Sequence, residues 1–220
     1  MRYIYFSFFL FSLFSFSQNS IFLKSGRNLT KYSYTNELNI KANNISSDFG
    51  NSYSFGYSKQ LKPKLTKFPL FYNCEIALDE FNSSVYNKNL LVNWRTLYAG
   101  VNNSMLITVL KPKNFKLDFK LGANISTIIY GKQVLDNQIY DIKNTDSFKG
   151  VFLTGVIGIQ AKYSVSETGG LSIGYDRLNG FNPSLNASEK FSITSNRVWF
   201  GVYYNLKKDS QKTNDSQKIN

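Results

Sequence analysis

The residues able to do chemistry are few in this 220-residue chain, and their spacing discourages it. There is no histidine, which removes Ser-His-Asp and Cys-His arrangements and the commonest metal ligand. Cys74 is the single cysteine. It falls in an alternating apolar set, where a thiol acts as a small apolar side chain. Glu75 and Asp79 share one face of a predicted strand, four positions apart. At strand rise that is roughly 13 Å, too far for the paired carboxylates of glycoside hydrolysis. Gly155, Gly158 and Gly174 fall inside predicted strands, so none builds a phosphate-cradling loop. We read no catalytic, cofactor-binding or metal-ligating residues, no cofactor, and no enzyme.

The elements holding these residues begin after an export signal. Met1, Arg2 and Tyr3 form a short basic start, Ile4 to Phe16 is apolar with interspersed serines, and Ser15-Phe16-Ser17 has the small-x-small pattern that signal peptidase reads. A spanning helix needs roughly 20 apolar residues, and this run is shorter and broken by Ser7, Ser12 and Ser15. We expect residues 1–17 to be a cleaved signal peptide, with Gln18 as the mature start and no lipoprotein cysteine at the site. One cysteine allows no intramolecular disulfide in the oxidising compartment beyond. The formal net charge of +12 falls to +11 on loss of Arg2. The lysines are scattered through turns, loops and tail, which fits anionic headgroups or polysaccharide, or plain solvation, and not nucleic acid.

The rest of the chain is a succession of period-2 segments. Val198, Phe200, Val202, Tyr204 and Leu206 alternate with Arg197, Trp199, Gly201, Tyr203 and Asn205. Phe115, Leu117, Phe119, Leu121, Ala123 and Ile125 alternate with Lys116, Asp118, Lys120, Gly122, Asn124 and Ser126. Sandwich strands run about 5–6 residues and membrane-spanning strands about 9–11; the run Phe115–Thr127 covers 13. Further strands are expected at Asn19–Thr30, Phe49–Leu61, Pro69–Phe81, Leu91–Leu110 (beginning in a loop), Gly150–Val165, Gly170–Arg177 and Ser192–Leu206. That totals eight.

Connections at Lys62–Phe68, Lys111–Asn114 and Ser166–Gly169 are read as the short set. Lys31–Asp48, Gly131–Lys149 and Asn179–Lys190 are read as longer polar loops. Short periplasmic turns and long external loops are the habit of outer-membrane barrels. We therefore expect an all-β chain: one antiparallel, up-and-down transmembrane β-barrel of eight strands over residues 18–206, with a disordered polar tail at 207–220. In hydrocarbon every backbone polar group must be paired within the protein, so strands span only as a closed sheet. The expected inward set is Lys24, Asn28, Glu75, Asp79, Lys116, Asp118, Lys120, Gln160, Lys162, Asp176, Arg197 and Asn205, a network of ion pairs and hydrogen bonds rather than a conducting pore. Tyr57, Tyr72, Tyr130, Tyr163, Tyr175 and Tyr204 are expected near strand ends as an interfacial girdle.

The closing segments also resemble a family. Phe148–Tyr163 (FKGVFLTGVIGIQAKY), Gly170–Tyr175 (GLSIGY) followed by Asp176-Arg177-Leu178, and Asn196–Leu206 (NRVWFGVYYNL) resemble the PorT-like, porin-like outer-membrane β-barrel domain family. Its members tend to carry "Gly-x-Gly … Tyr", then "Leu-x-x-x-Tyr-x-x-Gly-Leu", then "Asn-Arg … Gly-x-x-Tyr". Trp199–Leu206 is similar to the terminal signal read by the barrel-assembly machinery, although Trp199 stands where a polar residue is usual and a tail follows Leu206. The resemblance implies an eight-stranded outer-membrane barrel whose partners are outer-membrane lipid and the assembly machinery. A surface or envelope protein partner is a further expectation. Three functions stay open: a structural or adhesion-type barrel acting through its external loops, a component of a secretion or envelope machine, or a soluble lipocalin-like barrel binding a small apolar ligand. The last requires an apolar interior and a polar exterior.

Overall fold

Strict alternation of apolar and polar side chains makes each strand two-faced. Eight such strands close into a ring when every apolar face points outward. In the computed structural model the described residues are 19–36, 38, 40–42, 44–61, 68–87, 90–183 and 190–206. The expected signal peptide, the polar tail and most of the Lys62–Phe68 connection lie outside them. The strands are β1 (Asn19–Thr35), β2 (Ile45–Leu61), β3 (Leu70–Asn87), β4 (Leu90–Leu110), β5 (Phe115–Leu135), β6 (Gln138–Asp141), β7 (Val151–Ser164), β8 (Gly169–Phe181) and β9 (Lys190–Leu206). Pairing runs β4-β3-β2-β1-β9-β8-β7-β5, and β4 pairs β5 to close the wall. The wall is an eight-stranded, antiparallel, up-and-down barrel, and β6 hangs on β5 alone. The closing seam joins β1 to β9 from Asn19↔Leu206 to Thr35↔Lys190.

Both Asn19 and Leu206 lie at one end of the wall, with the turns Lys111–Asn114 and Val165–Thr168; we call this the turn end, and the opposite one the loop end. The expected inside–outside assignment holds. Leu23, Phe55, Ile76, Leu121, Ile157, Ile173 and Phe200 are exposed on the outer face, while Lys24, Glu75, Asp79, Asp118, Lys120, Gln160, Asp176 and Arg197 are buried within. A soluble lipocalin-like barrel requires the opposite arrangement.

Several strand ends differ from expectation, all at the loop end. β4 does not begin in a loop: β3 and β4 continue as a paired hairpin from Asn82↔Arg95 to Asn87↔Leu90. The connection expected between Phe81 and Leu91 is therefore mostly strand. The expected loop at 131–149 contains the end of β5 and all of β6, joined at Asp136 and Asn137, both with positive φ (49° and 65°). Two successive positive φ values make the primed turn that matches strand twist. β1 runs on to Thr35 and β8 to Phe181, so the expected loops at 31–48 and 179–190 are shorter than read. A β-bulge explains why the β5 alternation faded at Thr127. Leu97 faces Tyr130 while Tyr98 faces Ile128, so Ile129 is an extra residue and Ile129 and Tyr130 both point outward.

The expected tyrosines do lie on the outer face, and Tyr72, Tyr163 and Tyr204 sit near the turn end. Tyr130 and Tyr175 are not at strand ends, because β5 and β8 extend beyond them.

Candidate functional site

Side chains that must point inward on every strand meet in a lumen only just wide enough to be filled. Here they sort into three layers. Nearest the turn end, Asp118 accepts hydrogen bonds from Thr108 Oγ1 (2.7 Å) and Gln160 Nε2 (2.8 Å). Lys116 and Lys162 lie beside it, both 5.8 Å from the Phe71 ring, with Lys162 also 5.7 Å from Tyr203. Asn205 is half-buried at the same end.

The middle layer is a continuous ladder of buried charge. Lys24 Nζ is 2.9 Å from Glu75 Oε2, Lys120 Nζ bridges Glu75 Oε1 (3.3 Å) and Asp176 Oδ2 (3.2 Å), and Arg197 bridges Asp176 Oδ2 (2.9 Å) and Asp79 Oδ1 (3.0 Å). Three cations thus alternate with three carboxylates contributed by β1, β3, β5, β8 and β9. Such charges are tolerable in a low-dielectric interior only when paired and further hydrogen-bonded. Glu75 also accepts from Ser54 Oγ (2.9 Å) and Asn102 Nδ2 (2.8 Å). Asp176 also accepts from Trp199 Nε1 (3.1 Å), and Asn28 Nδ2 reaches Asp79 (3.4 Å). Trp199, in the position we compared with an assembly signal, points inward, with Lys24 Nζ 4.6 Å from its ring. Its indole leaves no room for a side chain at residue 174: a Cβ on Gly174 would lie 2.3 Å from Trp199 Cζ2. Gly158 similarly clears Asp176 Oδ1, which a Cβ would meet at 2.3 Å.

Toward the loop end the filling becomes apolar, which the sequence reading missed. Tyr32, Phe81, Tyr98, Phe152, Leu178 and Phe191 form a buried cluster joined by Ile142 and Phe148 from the connection after β6. Ring centroids lie 4.8 Å apart for Phe148–Phe191, 5.3 Å for Tyr32–Phe191 and 5.4 Å for Tyr98–Phe152. Tyr32 places its hydroxyl 2.6 Å from the Phe81 carbonyl, satisfying the polar tip. Residues 142–149 are folded tightly: Thr145 Oγ1 donates to Ile142 O (2.8 Å) and Asn182 Nδ2 to Lys149 O (2.8 Å). Ile142 and Phe148 were legible only as isolated apolar residues in a polar stretch. A cavity of about 260 Å³ adjoins this cap, lined by Tyr32, Tyr34, Val85, Trp94, Phe148 and Phe191 among others.

Outside the wall, the loop end displays exposed apolar side chains. Leu38 is 77% exposed and Ile40 61%; Asn36 Oδ1 fixes their turn by accepting from Leu38 N (3.1 Å) and Ile40 N (2.9 Å). On β6, Ile139 and Tyr140 are exposed. Of the two loops singled out in the sequence, 131–149 therefore has a double character: its hairpin points out and its return caps the lumen. Half of the other, 184–189, lies outside the described residues. Among the described residues no group of His, Cys, Asp and Glu could hold a metal ion.

No family model matches the chain, and no curated protein does. Solved structures similar to it include Neisserial surface protein A, at 10% identity over 84% of this chain and 97% of that one, with a TM-score of 0.42. OprG, an outer membrane protein of Pseudomonas aeruginosa, is similar at 14% identity over 87% and 98%, with a TM-score of 0.39. The outer membrane protease OmpT of Escherichia coli is similar at 9% identity over 86% and 97%, with a TM-score of 0.45. At these levels the likeness says nothing of a shared activity.

Proposed function

We propose that the chain is a small outer-membrane β-barrel whose sealed wall acts as a rigid mount, and that its external loops bind a protein partner. The observation that carries this reading is the combination of an apolar exterior, a lumen filled by ion pairs below and aromatic rings above, and apolar side chains held outward at Leu38, Ile40, Ile139 and Tyr140. An apolar outer face in water would aggregate, whereas in hydrocarbon it is solvated and the paired backbone leaves no polar edge. Apolar side chains are held outward at two places on the loop end, Leu38 and Ile40 after β1 and Ile139 and Tyr140 on β6, where a partner can reach them.

The reading is tested by placing a photo-crosslinking residue at 139 in intact cells, together with the substitutions Leu38→Ser and Ile40→Ser. We expect a discrete adduct with one envelope protein, weakened by the two serine substitutions, while the purified barrel gives no stable conductance in a planar bilayer. Steady single-channel conductance with no adduct would replace the mount by a pore.

A further inference from the structure

The charges of the middle layer inside the barrel form ion pairs, whereas three cations that share one recess on its outer surface do not. Lys31, Lys41 and Arg177 line one recess of about 540 Å³ near the loop end, and no described Asp or Glu lines it. None of the three forms an ion pair with a described residue. The recess has a structural origin. Pairing of β1 with β2 stops at Thr30↔Asp48, while β1 continues along β9 and residues 45–47 pair with β3 instead. Ser83 fills the resulting seam from within, accepting from Tyr32 N (3.3 Å) and donating to Ser46 O (2.8 Å). The chain returns beside β1 through the bridge Thr35↔Lys41 and the bond from Ala42 N to Tyr34 O (2.9 Å), which sets Lys41 over the gap. Arg177 is held by Asn196 Oδ1, which accepts from its Nη1 (2.8 Å) and from Tyr175 Oη (2.8 Å). Toward the turn end, the same three strands expose mainly apolar side chains next to the recess, Leu29 on β1, Val198 and Phe200 on β9, and Ile173 and Tyr175 on β8, with Arg27 of β1 standing beside Val198 as a further cation.

We propose that this recess binds the phosphate of an anionic outer-leaflet lipid, whose acyl chains lie along β1, β9 and β8. The inference rests on the membrane reading above. Cations just beyond the apolar band meet a lipid at its headgroup, where an anionic surface attracts Lys and Arg. A guanidinium braced by a neighbouring amide is suited to fork onto phosphate oxygens. The apolar strip accounts for a lipid rather than a free anion.

The test uses the folded barrel in a non-ionic detergent, with its fold checked by electrophoresis before and after heating. The protein is titrated separately with lipid A, phosphatidylcholine and inorganic pyrophosphate, and bound ligand is read by native mass spectrometry. The expected result is retention of one lipid A, with little phosphatidylcholine or pyrophosphate. The variant Lys31→Gln/Lys41→Gln/Arg177→Gln should keep its heat shift and bind lipid A at least about tenfold more weakly; Lys41→Gln alone, outside the wall, should give a partial loss. Equal lipid A retention by wild type and the triple variant overturns the site, as does equal retention of phosphatidylcholine. Pyrophosphate bound as tightly as lipid A overturns the lipid as ligand and leaves a soluble-anion site. A wild-type protein with no heat shift and no place in the micelle fails the membrane reading itself, a result distinct from these.

Discussion

Glu75 carries more of the lumen than any neighbour, because four donors converge on it: Lys24, Lys120, Ser54 and Asn102. Deleting its charge leaves the buried Lys24 ammonium without a carboxylate and Lys120 with Asp176 alone. Removing one partner of a buried ion pair costs about 3–5 kcal/mol, because the other charge stays buried and uncompensated. Glu75→Gln should therefore lower the barrel's stability by about that amount, whereas Glu80→Gln, on the outer face, should cost less. Urea unfolding of the micelle-bound protein, followed by the loss of its unheated gel mobility, measures both. Equal midpoints for Glu75→Gln and wild type would mean that the ladder is not a stabilising unit. The two buried glycines beside it act at the same scale, Gly158 admitting Asp176 and Gly174 admitting the Trp199 indole.

Among the elements, the connection after β6 separates capping from conduction. Phe148 packs against Phe191 and Tyr32 in tilted ring contacts above the charge ladder. Phe148→Ala should cost toward the low end of about 3–5 kcal/mol, since the space it leaves merges with the adjoining cavity. The variant should remain silent in planar bilayers, because the ladder beneath still fills the lumen; stable conductance would show that the aromatic cap alone seals the barrel. Where the alternation is strict, as in Phe115–Thr127 and Ser192–Leu206, the strands and their inward faces were legible from sequence. They follow directly from a two-residue period set against one apolar surround. Legibility failed where that surround ends. Above the apolar band the outer face is free to be polar, so β3, β4 and β5 continue without an alternating signal. The Ile129 bulge shifts the remaining period by one residue. The turn Leu135-Asp136-Asn137-Gln138 carried a recognisable hairpin signature within what read as a polar loop. Ile142 and Phe148 gave no periodic signal, because a loop residue that folds back into a lumen is placed by tertiary contacts alone.

For the whole molecule, the wall is turned inside out relative to a soluble protein, the arrangement that a surrounding lipid phase favours. Charge, aromatic placement and the absence of disulfides all fit a chain held by closure of its sheet and by its surroundings. The most direct measurement is fractionation of cells that make the protein, followed by electrophoresis of the membrane fraction with and without heating. Outer-membrane recovery and a mobility that changes on heating are expected, as a closed barrel resists unfolding by detergent until heated. Recovery as a soluble protein in the periplasm or medium, with one mobility in both lanes, would contradict it.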